Sequence, residues 1–183
     1  VEIFRSIWKP IWENLKAIAI ALLIAFFIRA FIAEPRYIPS DSMLPTLEIG
    51  DRIVVEKVSY YFHSPNPKDI VVFKPPNLLQ NFGYDADQAF IKRVIADSQQ
   101  TIDVRNGEVY INGEKIREPY IKEPPNYELS ATTVPEKKLF VLGDNRNNSN
   151  DSHVWGFLPE KQVIGRAAFR FWPPDRIGLI KDN

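Results

Sequence analysis

The sequence predicts a mainly β fold: a single N-terminal transmembrane helix, then a β-sheet or β-barrel-like domain with a small inserted β-hairpin subdomain. Three observations carry that prediction. The apolar run Ala17 to Ile28 is unbroken and resumes after Arg29 as Ala30-Phe31-Ile32-Ala33. Short β-branched and aromatic runs then recur, separated by proline, glycine and asparagine. Between residues 101 and 116, apolar positions alternate around Asn106-Gly107 and Asn112-Gly113, a strong hairpin signal.

The apolar run comes first. Twelve helical residues reach only about 18 Å, short of a hydrocarbon core of about 30 Å. Counted from Trp12 or Leu15 to Ala33, with Lys16 and Arg29 snorkelling, the length suffices. A cleavable signal peptide and a buried amphipathic helix compete with the anchor. Arg29 inside the run, and the purposeful stretch that follows, favour the anchor. Arg5, Lys9 and Lys16 put the amino side in the cytoplasm and residues after 34 on the opposite face. The expected division is therefore 1–34, cytoplasmic N-terminus and anchor, and 35–183, the β domain, with the insert at about 98–136.

Within the β domain, strands are expected at Arg52–Val58, Asp69–Phe73, Ala89–Ala96, Lys138–Leu142 and Val163–Trp172. Residues 59–68, 77–88 and 118–135 read as loops. The 89–96 strand is apolar on both faces yet holds Lys92 on one and Arg93 on the other. Gly143 to His153 contains no aliphatic side chain and no aromatic one apart from the His153 imidazole. Such a run is either a plain surface loop or a rigid loop whose side chains bond its own backbone.

Composition narrows the chemistry. Basic and acidic residues balance, 23 against 23, so nucleic acid is not an expected partner. With no cysteine and two histidines, thiol catalysis and a multi-histidine metal centre are excluded, and neither metal nor cofactor is expected. A hydrolytic nucleophile must then be serine or threonine. In Tyr37-Ile38-Pro39-Ser40-Asp41-Ser42-Met43-Leu44-Pro45-Thr46-Leu47, an extended backbone puts Ser40 and Ser42 on the same side. The bland reading of this stretch is a polar connector. Two bases are open to a serine nucleophile: His153 with Asp144 or Asp151, or a desolvated neutral lysine, for which Lys92 is best placed.

Four blocks together resemble the type I signal peptidases, membrane-anchored Ser-Lys endopeptidases. They are Pro39 to Leu47, Gly50-Asp51-Arg52-Ile53-Val54-Val55, Phe90-Ile91-Lys92-Arg93-Val94-Ile95, and Gly143-Asp144-Asn145-Arg146 through Ser149 to Asp151-Ser152 and Trp155-Gly156. They stand in the family's order behind a suitable anchor. The Asn-Asn-Ser and Asp-Ser-His-Val-Trp-Gly runs are closest to cyanobacterial and thylakoid members. The resemblance implies Ser42 as nucleophile and Lys92 as general base. It implies that Ser40 forms the oxyanion hole with the Ser42 N–H, and that Ser149 orients the lysine. Asp144, Arg146 and Asp151 would support the loop, and Ile38, Met43, Leu47, Phe90 and Ile91 would bind substrate in shallow apolar pockets. Two departures stand out: Ala96-Asp97-Ser98-Gln99-Gln100 replaces a Leu-Pro-Gly-Asp turn, and His153 replaces an arginine that pairs with the nearby aspartate.

The function so implied is removal of N-terminal signal peptides from exported precursors, cut after small-x-small motifs by a Ser-Lys dyad. The partners are those precursors and a lipid membrane. The location is the plasma or thylakoid membrane, single-pass, with the catalytic β domain on the trans side. The rivals are a Ser-His-Asp hydrolase, which lacks a Gly-x-Ser-x-Gly elbow, a self-cleaving repressor, and a tethered binding domain without activity.

Overall fold

The computed structural model describes residues 2–81 and 83–181, with backbone alone for residues 2–10. The Arg5 and Lys9 side chains, part of the orientation argument, lie outside the described residues. Helix α1 (Glu2–Phe27) runs into one π-helical turn, Ile28–Ile32, and then directly into β1 (Ala33–Tyr37). Ile11–Ile32 is long and apolar enough to cross a membrane and buries none of its length within the chain. A buried amphipathic helix is therefore overturned: Leu22, Leu23 and Phe26 are 66%, 68% and 68% exposed.

The expected boundary at 34/35 falls inside β1, whose residues pair antiparallel with β2 (Arg52–Glu56) from Ala33↔Glu56 to Tyr37↔Arg52. Pro35 and two charges disguised this strand in the sequence. At the end of a sheet a proline costs no ladder bond, because one side is unpaired. The junction is also held by Lys57, whose Nζ donates to the Arg29 and Ala30 carbonyls and pairs with Glu34 at 2.9 Å.

The remaining strands are β3 (Ile70–Phe73), β4 (Phe90–Ala96), β5 (Thr101–Arg105), β6 (Glu108–Ile111), β7 (Glu114–Lys115), β8 (Leu129–Thr133), β9 (Lys138–Leu142), β10 (Leu158–Pro159), β11 (Val163–Trp172) and β12 (Gly178–Leu179). The main antiparallel sheet runs β1-β2-β11-β3-β4-β9-β10, with β12 on β11. A second sheet, β7-β6-β5-β8, is built from residues 101–133. Its hairpins turn at Asn106-Gly107 and Asn112-Gly113 with positive φ at all four residues, as the two-residue turn requires. β8 lies in the stretch read as a loop; Leu129-Ser130-Ala131-Thr132-Thr133 lacks apolar alternation, and pairing with β5 supplies its order. Short helices at Asn77–Asn81 (α2) and Ser152–Trp155 (α3) were likewise unread.

β3 is buried at every residue, and β4 at every residue but Phe90, because both sheet faces are covered. β4 joins three apolar clusters: Ile91 packs with Met43, Leu47 and Ile53, Val94 with Val71 and Leu139, and Ile95 with Ile102 and Phe140. The strand carrying Lys92 is thus the shared wall of the molecule. Elsewhere β11 crosses β2 so closely that a Cβ on Gly165 would lie 2.3 Å from the Glu56 carbonyl oxygen. Gly165→Ala is expected to destabilise the fold by about 1–3 kcal/mol, as overpacking does, read as a lowered denaturation midpoint.

Candidate active site

The serine stretch is not extended throughout. Ser40 is extended (φ −139°, ψ 159°), Asp41–Met43 forms one 3-10 turn, and Leu44 is extended again. The turn closes by Leu44 N–H to the Asp41 carbonyl, 3.1 Å. Ser40 and Ser42 still meet, Oγ to Oγ at 3.3 Å, because the extended residue leads straight into the turn. The turn is pinned from a distant loop: Asn145 N–H donates to the Ser42 carbonyl at 3.0 Å, and its side-chain amide to the Asp41 carbonyl at 3.1 Å.

Lys92 reaches Ser42 from β4. Its Nζ lies 2.7 Å from Ser42 Oγ and donates to the Ile91 carbonyl at 2.8 Å. The lysine is 4% exposed and the serine 8%. Burial lowers the amine from its ordinary range to about 8, against the opposing pull of the Asp151 and Asp144 charges. A neutral amine in contact with a serine hydroxyl is a base positioned to take its proton.

The 143–153 loop is the rigid alternative of the two weighed from sequence. Asp144 is fully buried and takes a two-pronged pair from Arg93, at 2.8 and 2.7 Å. Thr46 donates to the same carboxylate, and the Arg93 guanidinium lies 4.0 Å over the Tyr120 ring. Arg146, also fully buried, grips Glu118 through both terminal nitrogens and donates from Nε to the Gly143 carbonyl at 3.1 Å. Asp151 accepts from Gly143 N–H at 2.8 Å and from the His153 backbone at 3.2 Å. His153 Nδ1 contacts the same carboxylate at 2.7 Å, and its ring stacks on Tyr127 at 4.1 Å. Asp151 therefore keeps a partner although the arginine is replaced. Among the described residues no hydrogen bond joins His153 to Ser42.

Two expected placements differ. Ser149 makes no bond to Lys92: the amine turns to the Ile91 carbonyl, and Ser149 Oγ is buried without a hydrogen-bond partner. Ile38, Met43 and Leu47 do not line the groove. They are 2%, 0% and 0% exposed and pack inward with Ile53 and Val55 in the apolar core. Phe90 and Ile91 do line the groove, a cleft of about 460 Å³ holding Ser40, Ser42 and Lys92. A larger cleft of about 670 Å³, between Pro76, Phe157 and Lys138, contains no serine to pair with its lysines. Among the described residues no group of three His, Asp or Glu side chains is gathered to hold a metal.

A family model described as signal peptidase, peptidase S26, matches residues 11–172. The chain belongs to the signal peptidase family, peptidase S26. It is 62% identical over 175 residues to the probable signal peptidase I-1 of Synechocystis sp., covering 96% of this chain and 89% of the relative. It is 50% identical to the signal peptidase I of Leptolyngbya laminosa, over 94% of this chain and 85% of the relative. A probable thylakoidal processing peptidase 2 of Arabidopsis thaliana is 47% identical over 92% of this chain and 46% of the relative's own length. As a signal peptidase the protein is a serine endopeptidase, and a tethered binding domain or a repressor is set aside.

Several residues around the peptidase site were not singled out from sequence. Asn145 sits inside the polar loop with nothing to mark it from its neighbours. Glu118 and Tyr120 lie in a stretch that reads as a plain loop, and Arg93 stands in the lysine block with no partner marked for it by the sequence. In the sequence Gly143 is one more member of the polar run. A Cβ there would lie 2.3 Å from Ser149 Oγ and 2.4 Å from the Ser42 carbonyl oxygen, which Asn145 already holds. Gly143→Ala is therefore expected to cut kcat/KM by about 100-fold or more by displacing the serine turn, checked by steady-state cleavage of a precursor beside a thermal melt.

Proposed function

We propose that the protein removes signal peptides by a Ser42–Lys92 dyad while held at a membrane. The observation that carries this reading is the 2.7 Å approach of a buried lysine amine, lowered to about 8, to a buried serine hydroxyl. Neutral Lys92 takes the Ser42 proton as Oγ attacks the scissile carbonyl. The Ser42 N–H and the Ser40 hydroxyl receive the oxyanion. Lys92 then returns its proton to the leaving amine. A water, deprotonated by the same amine, hydrolyses the acyl-enzyme and regenerates Ser42. Ser149, adjacent to Gly143 and unpartnered, is available to orient the amine when it leaves the Ile91 carbonyl. Asp144, Arg146 and Asp151 support the loop that fixes the turn.

The substrate has an open edge to join. β4 pairs with β3 from Phe90, but its pairing with β9 begins only at Arg93, so residues 90–92 lack a strand on that side. An extended segment adds there as a strand beside Pro39 and Ser40. Under Ser42 the floor is already filled by Met43, Leu47 and Ile38, with Ile91 alongside. Little room remains for side chains facing the floor, which favours small residues one and three positions before the bond.

The Ile11–Ile32 helix supplies the anchor, with its amino side cytoplasmic and the β domain, including its insert at about 98–136, on the trans side of a plasma or thylakoid membrane. β1 follows the helix without a linker and Lys57 braces the junction, which keeps the groove near the surface where precursor segments emerge. Confinement of enzyme and substrate to one surface raises their effective concentration.

Ser42→Ala and Lys92→Ala should each reduce kcat/KM on a small-x-small precursor by about 10³-fold or more. His153→Ala should retain activity within about tenfold, since the histidine bonds Asp151 and not the serine; loss in that variant with an intact fold would restore the histidine triad. The active amine is the neutral one and its folded pKa lies below the ordinary value. Activity should therefore rise with pH through about 8 and level off above it. A pH–rate profile flat between 6 and 9 would contradict a lysine base.

A further inference from the structure

We infer that Tyr84 and Asn150 form a side wall of the groove and determine which side chain is accepted two positions before the scissile bond. The inference rests on the Ser42–Lys92 reading of the site. Both residues border the cleft that holds the dyad, yet they come from different loops. Asn150 Nδ2 donates to Tyr84 Oη at 3.3 Å, joining the loop after α2 to the loop that carries Ser149.

Each end of this strap is fixed. Tyr84 N–H donates to the Leu79 carbonyl at 3.2 Å, and Leu79 is buried in the cluster of Val71, Phe73 and Leu139. The Tyr84 ring meets Phe90 edge-on, centroids 5.4 Å apart and planes at 65°. Gly83 just before it has φ +92°, a turn that a side chain resists and that sends Tyr84 back over Phe90. On the other side Asn150 stands between Ser149, packed on Gly143, and the fully buried Asp151. A tyrosine ring with two χ angles, locked by packing and a hydrogen bond, makes a wall of defined position.

An extended substrate alternates its side chains. If the residues at −1 and −3 face the filled floor under Ser42, the residue at −2 faces away from it. Of the cleft's lining, which also includes Ile49, Gln88 and Asn148, the aromatic face of Tyr84 and the amide of Asn150 are the groups assigned to the −2 residue. The wall therefore admits small or flat side chains at −2 and disfavours bulky branched ones.

The test is cleavage of precursor peptides that keep alanine at −1 and −3 and carry alanine, leucine, phenylalanine or tryptophan at −2. Full-length enzyme in detergent is used, and kcat/KM is compared between substrates within each variant, so that a general loss of activity cancels. Tyr84→Ala is expected to raise the leucine-to-alanine ratio at −2 by about tenfold. Tyr84→Phe removes only the strap's hydrogen bond, and Asn150→Ala removes it together with the Asn150 amide. Each should raise the ratio by a smaller, similar factor, and the double variant should add nothing further. Unchanged ratios in Tyr84→Ala, or in the two milder variants if Tyr84→Ala does not fold, would overturn the inference. Cleavage by Ser42→Ala would instead overturn the dyad, leaving the two failures distinct.

Discussion

The buried pair between Arg93 and Asp144 ties the active site together. One partner directly follows Lys92 on β4 and the other stands second in the loop after β9, so a single contact fixes the Lys92 strand against the loop that holds the Ser42 turn. Both side chains are fully buried, and removing either leaves an uncompensated charge that costs about 3–5 kcal/mol. From Asp144 the constraint passes to Asn145, which binds the carbonyls of Asp41 and Ser42. The distance between serine and lysine is thus set by a chain of charge-assisted and backbone bonds, and not by the dyad itself.

The same pair bears on the electrostatics. A lysine next to two buried carboxylates would ordinarily stay protonated, and the charges of Asp144 and Asp151 do pull Lys92 that way. Each carboxylate is engaged elsewhere: Asp144 by Arg93 and Thr46, Asp151 by the Gly143 amide and His153. Neither bonds the amine, so desolvation prevails and the proton affinity of Lys92 falls. Glu118 and Arg146 extend the network to the segment after β7, where Tyr120 packs beneath the Arg93 guanidinium. The connection between β7 and β8 is in this way tied to Arg93 and Arg146 even though it contributes no group to the cleft.

The strongest signals in the sequence were those with a local physical cause. The hairpins at Asn106-Gly107 and Asn112-Gly113 follow from positive φ at turn residues, and the continuous apolar run at Ile70 to Phe73 from burial on both faces. β1 and β8 were illegible because their order comes from neighbours: Pro35 is harmless only on an unpaired edge, and Leu129 to Thr133 carries no alternation. Ser40 and Ser42 were expected together for the wrong backbone reason, since alternation along an extended strand was assumed where a 3-10 turn stands.

The sequence by itself determined the residue types at the site, their order behind an apolar helix, and a strand apolar enough to desolvate Lys92. Only the tertiary structure decided that Lys92 meets Ser42 while His153 serves Asp151, that Met43 and Leu47 fill the floor, and that Tyr84 stands beside Asn150. Residues 50 or more positions apart are brought within hydrogen-bond reach by sheet order and buried ion pairs, and no local propensity encodes either.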